Sequence, residues 1–127
     1  MVSSNKKIIL IGESLGCYPT CWLAAHTPFQ FEKIVLCVPF DQLSSVTPMG
    51  SCLLGNYNNL ELIQKTTSPT LIIQASKDEI MPLTCGNNLF QKCSGRVILD
   101  KVDTYHNDYF NSKIQKLIHE FIRETFV

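Results

Sequence analysis

At 127 residues, 45% of them hydrophobic and 17% charged, the chain has the make-up of one ordinary globular domain able to bury a core. Eleven basic residues balance eleven acidic ones with no basic block, so nothing suggests a nucleic-acid or anionic-membrane partner. No apolar run approaches a membrane span, neither end carries a lipidation signal, and no Cys/His spacing suits a metal, so a cytoplasmic domain with no membrane anchor, metal or cofactor is expected.

The chain opens with a polar segment, Met1 to Lys7, that is not expected to act as a signal peptide. Lys7 to Ile11 follows as a short β-branched run, suited to a strand buried on both faces of a parallel sheet. It stops at Gly12-Glu13-Ser14-Leu15-Gly16, and Leu15 to Ala25 reads as a helix leaving that turn, with Pro19 near the end of its first turn. Lys33 to Val38 is a second buried strand, closed by Pro39. Phe40 to Asn59, rich in Pro, Gly and Asn, reads as loop with a turn or two of helix, and Leu60 to Lys65 as a short helix. Thr70 to Ala75 is a third strand, Thr84 to Cys93 a helix with Leu89, Phe90 and Cys93 on one side, and Arg96 to Leu99 a short fourth strand. Ser112 to Phe126 is the clearest helix: Ile114, Leu117, Ile118, Phe121 and Ile122 form one stripe, and Asn111 or Ser112 can cap it. Strands alternating with helices predict an α/β fold, a three-layer αβα arrangement with a mainly parallel sheet of about four strands. Of the six cysteines, Cys17 and Cys21 fall one helical turn apart and Cys37 lies within a strand, which suits small buried hydrophobes in a reducing compartment.

Gly-x-Ser-x-Gly between a strand and a helix has the layout of a nucleophile elbow, a sharp turn that exposes the serine hydroxyl. A side chain at either glycine is expected to collide with the neighbouring strand or helix. In a parallel sheet, functional side chains collect at the carboxyl ends of the strands. Those ends deliver Ser14, Asp41, Asp78 and, a few residues beyond the last, His106. A hydroxyl nucleophile needs a base within hydrogen-bond reach, and the base needs an acid to hold its tautomer. Ser14, Asp78 and His106 occur in the order Ser, Asp, His, with Asp41 as reserve acid. Each also has a plainer reading: Ser14 as a helix cap, Asp78 as a turn-former in Lys77-Asp78-Glu79, His106 as a solvated loop residue. His26 ends a helix, His119 lies on a polar helix face, and Asp103 and Asp108 are too near His106 in sequence to be first choices.

The chain resembles the C-terminal half of an α/β-hydrolase-fold serine hydrolase, and is most similar to the branch that includes protein depalmitoylases (palmitoyl thioesterases). The resemblance rests on Gly12 to Gly16 with Pro19-Thr20 and Leu23-Ala24-Ala25, on Thr67 to Ile73, on Asp78-Glu79-Ile80 and on His106-Asn107-Asp108. It implies Ser14 as nucleophile, Asp78 as acid, His106 as base, and the Leu15 backbone N–H in the oxyanion hole. The implied activity is hydrolysis of an ester or thioester, on a small-molecule or acylated-protein substrate, through an acyl-enzyme. Two departures stand out. Tyr105 occupies a position that is usually glycine in the family, and the family's first strands, with the loop giving a second oxyanion donor, have no counterpart in residues 1–127. A domain lacking those strands is expected to expose its first strand as an apolar edge, which invites a homodimer, and to cover its other sheet face with Ser112 to Phe126 alone. The alternative is a truncated, catalytically weak interaction module or gene fragment.

Overall fold

The computed structural model describes residues 6–47, 49–50, 52, 55–108 and 110–125; Pro48 and Phe126 lie outside them. Four strands, β1 (Ile9–Glu13), β2 (Lys33–Cys37), β3 (Thr70–Ala75) and β4 (Val97–Val102), form a wholly parallel sheet in the order β1-β2-β3-β4. The connecting helices are α1 (Cys17–His26), α2 (Asn59–Ile63) and α3 (Thr84–Lys92), and α4 (Ser112–Arg123) closes the chain.

Alternate side chains of the central strands feed two cores, as the period of two requires. Ile34, Leu36 and Ile72 join Cys17, Cys21, Ile63 and Leu89 from the helices on one face. Val35, Leu71 and Ile73 join Ile114, Ile118 and Phe121 of α4 on the other. The layers are therefore helices, sheet and helix, with α4 alone on its side among the described residues. That single helix buries the central strands completely, Val35 and Ile73 included. At β1 the cover fails: Ile11, the register partner of Val35, is 49% exposed.

Three elements depart from expectation. The first strand runs two residues further along the chain, to Glu13, so it reaches the serine directly. The fourth extends through Asp100 and Lys101, which pair with Ile73 and Gln74; an edge strand tolerates charges that a central one would not. Phe90 turns outward from α3, whose buried positions are Cys85, Gly86 and Leu89. Among the cysteines, Cys17, Cys21 and Cys37 are fully buried and unpaired, and burial pushes the Cys21 and Cys37 thiols up to about 12.

α4 is fixed at both ends. The Asn111 side chain accepts from the Lys113 N–H at 2.8 Å, the N-cap expected of it. At the other end the buried Lys33 ammonium, from the first residue of β2, donates to the carbonyls of Phe121 (2.6 Å), Ile122 (2.7 Å) and Glu124. A cation there satisfies carbonyls that the helix leaves without partners and complements its dipole. Lys33→Met should cost about 2–3 kcal/mol, the worth of hydrogen bonds to a buried charge; urea unfolding measures it, with the loss concentrated in the docking of α4.

Candidate active site

The carboxyl ends of all four strands lie along one rim, and the residues singled out from sequence gather there. Ser14 follows β1 with φ +52°, a left-handed conformation that costs a non-glycine residue energy and persists only where the surroundings enforce it. The chain arrives extended at Glu13 and leaves in a short 3₁₀ turn, Ser14–Gly16, that runs straight into α1. Gly12 makes this reversal possible: a Cβ there would lie 2.9 Å from the Gly16 carbonyl oxygen and 3.0 Å from the Cys17 Cα. Gly16 is different. It has φ −63°, and a Cβ would meet nothing within 4 Å, so the expected collision holds at one glycine only.

Asp78 stands in the turn after β3, and its two oxygens have separate duties. Oδ1 accepts from the N–H groups of Ile80 (2.9 Å) and Met81 (2.8 Å), which shapes the turn. Oδ2 accepts from His106 Nδ1 at 2.9 Å. Asp78 thus shapes its own turn and pairs with His106 at once. Since a carboxylate oxygen only accepts, Nδ1 carries the proton and Nε2 is free to accept. Nε2 receives the Ser14 hydroxyl at 2.8 Å. His106, far from solvated, is 3% exposed.

The loop carrying His106 is organised by its neighbours. Asp108 Oδ2 accepts from the Tyr105 N–H at 2.9 Å, Asp108 N–H returns to the Tyr105 carbonyl, and Glu79 Oε2 accepts from the His106 N–H at 3.3 Å. Tyr105 is not among the residues with positive φ, so the loop makes no demand for glycine there, and its half-exposed ring lies under the Lys77 ammonium at 5.6 Å. Glu79 and Asp108 escaped the sequence reading as loop organisers because both act on backbone N–H groups, which leave no pattern of residue types.

Asp41, the reserve acid, is engaged elsewhere. It accepts from the Gln42 N–H (2.7 Å), Asn88 Nδ2 (2.9 Å) and the Cys85 thiol (3.3 Å), tying the end of β2 to α3. Burial pushes its carboxyl up, but hydrogen bonds from Asn88, Ser45 and Gln42 outweigh this and hold it below its ordinary value.

Beside Ser14 and His106 lies a cleft of about 480 Å³, walled by Leu43, Val46, Tyr57, Ile80 and Met81. Its size suits a small ligand and its walls are mostly apolar. Among the described residues, no cluster of His, Cys, Asp and Glu is arranged to hold a metal ion, and no helix is long and apolar enough to cross a membrane.

A parallel sheet with a serine on a strand-to-helix elbow, and with acid and histidine supplied by later strand ends, is the α/β-hydrolase arrangement, and the chain has that fold. Within it, the chain is similar to human α/β-hydrolase domain-containing protein 17B, with 30% identity over 92 residues, which cover 69% of this chain and 31% of the relative. It thus matches about a third of the length of such curated relatives. Among solved structures, an esterase from Pyrococcus furiosus superposes with a TM-score of 0.77 at 15% identity, covering 92% of this chain and 53% of that one. An enol-lactonase from Burkholderia xenovorans gives 0.72 at 14% identity, covering 93% and 66%. These likenesses establish the fold. No protein-family model matches the chain.

Two expectations follow. Gly12→Ala should destabilise the elbow by about 2–3 kcal/mol, an overpacking cost, whereas Gly16→Ala should stay within about 0.5 kcal/mol of wild type in thermal or urea unfolding. Asp41 has a lowered folded-state carboxyl, so its contribution is present above its unfolded value of about 4 and is lost as pH falls through the folded one. Asp41→Asn should therefore be less stable than wild type at pH 7, and the gap should narrow as pH falls below the unfolded value of about 4, in urea unfolding read across pH.

Proposed function

We propose that the chain is a serine hydrolase acting on an ester or thioester. The observation that carries this reading is the unbroken run of hydrogen bonds from Ser14 through His106 to the buried Asp78. In this mechanism Ser14 Oγ attacks the acyl carbonyl while its proton passes to His106 Nε2, and Asp78 stabilises the imidazolium through Nδ1. The tetrahedral intermediate then collapses, the C–O or C–S bond breaks, and His106 returns the proton to the departing alkoxide or thiolate. Water, deprotonated by the same nitrogen, attacks the acyl-serine and releases the acid with regeneration of Ser14.

The oxyanion would be met by the Leu15 N–H, which opens a helical turn and so has no acceptor within it. Each such donor is worth about 10²–10³ in rate. An ester or thioester, with its better leaving group, asks less of that donor than an amide does. The apolar cleft beside Ser14 suits the acyl portion of the substrate, and the similarity to hydrolases and esterases supports the same class of reaction.

A fluorophosphonate probe tests the reading. The native chain should become labelled and Ser14→Ala should not. Asp78→Asn should keep the turn, because an amide oxygen can still accept from Ile80 and Met81, yet lose about 10⁴ in hydrolysis of a p-nitrophenyl ester, as expected when the base loses its correct tautomer. Absence of labelling in the folded chain would reject the enzyme in favour of an interaction module.

A further inference from the structure

We infer that Tyr57, backed by Tyr18, is the end wall of the acyl cleft and sets how long an acyl chain the site accepts; this rests on the hydrolase reading above. The first observation is backbone strain. Tyr57 has φ +42°, a value that bulky residues rarely hold and that marks positions fixed by their surroundings for a purpose. The second is what enforces it. On its N-terminal side, Asn56 accepts from the Leu43 N–H through its carbonyl (2.6 Å) and from the Ser44 N–H through Oδ1 (2.9 Å), while its Nδ2 donates to Gln42 (2.8 Å). On the other side the buried Asn59 donates to the Phe40 carbonyl from its side chain (3.0 Å) and to the Asp41 carbonyl from its backbone (2.9 Å). The tyrosine therefore stands on a segment stapled to residues 40–44 from both sides, the kind of rigid support that a selective contact requires.

The third observation is where the ring sits. It lines the cleft that holds Ser14 and His106, and it rests on the Tyr18 ring of α1 at 4.6 Å between centroids with a 36° tilt. Tyr18 in turn lines a separate apolar groove with Pro19, Trp22 and Leu23. The Tyr57–Tyr18 pair is thus the partition between the cleft at the nucleophile and an apolar groove along α1. A chain extending from an acyl group on Ser14 along the cleft stops at this partition. With the Tyr57 ring removed, the two spaces join and longer chains gain apolar surface.

Tyr57→Gly is the informative variant, because glycine adopts φ +42° without strain and removes only the ring. Tyr18→Ala weakens the same partition from the other side. The readout is kcat/KM for p-nitrophenyl octanoate and p-nitrophenyl palmitate. Both variants should raise the palmitate-to-octanoate ratio by about tenfold, the scale on which hydrophobic pockets discriminate chain length. In parallel, binding of octanoate and palmitate, below their aggregation thresholds, to the Ser14→Ala chain with and without Tyr57→Gly is followed by calorimetry. If esters are hydrolysed but both variants keep the wild-type ratio, the partition is wrong and the hydrolase reading stands. If no ester is hydrolysed by any form, the hydrolase reading fails, and the binding ratio alone decides: a shift toward palmitate on loss of the ring supports the wall, and an unchanged ratio overturns it.

Discussion

The geometry at the rim hangs on one close approach, that of the β1 backbone at Gly12 to the start of α1 at Gly16 and Cys17. A chain reversing within a single residue from extended to helical must bring strand and helix backbones nearly into contact. That is possible only where one side of the contact has no side chain. Thr20 reinforces the arrangement by donating from its hydroxyl to the Gly16 carbonyl at 2.9 Å, one turn into the helix. The strain at Ser14 is the product of this contact, and it lifts the hydroxyl clear of the sheet to where a histidine from 92 residues further on can reach it. Had the turn been relaxed, the serine would have capped a helix instead.

The parallel sheet does the remaining positioning. Its strands all point the same way, so each one ends at the same rim and the loops that follow share one neighbourhood. Within that neighbourhood the carboxylates have divided their roles. Asp78 spends one oxygen on its own turn and the other on His106; Asp108 and Glu79 hold backbone amides of the histidine loop; Asp41 ties the end of β2 to α3. The acid that orients the histidine is thereby itself oriented by the backbone it bends.

Much of this was legible in the sequence, for identifiable reasons. Buried parallel strands demand β-branched apolar runs, and Ile34–Leu36 and Leu71–Ile73 supply them; an amphipathic helix demands a stripe, and α4 supplies one. That Ser14, Asp78 and His106 would gather at one rim could be read because strand ends are countable. What stayed hidden depends on three-dimensional neighbours. Asp100 and Lys101 look like the end of a strand, yet an exposed edge lets pairing continue through them. Lys33 reads as a polar flank of a buried strand, and only the fold reveals that it reaches the carbonyls at the end of α4. Gly16 looks as obligatory as Gly12 until the space around each is known. A tyrosine held at positive φ leaves no trace in residue order at all, because its conformation is imposed by Asn56 and Asn59 on either side.

The order of strands across the sheet is the order in which they are made. Each newly synthesised strand can therefore add to the edge left by its predecessor as the polypeptide leaves the ribosome, with no need to wait for a later segment to fill a gap. Among these four strands, the one that carries the serine elbow is made before the one that leads to the histidine loop. The Ser14 hydroxyl is thus made 92 residues ahead of the imidazole it hydrogen-bonds, and the two meet only once the fourth strand has docked.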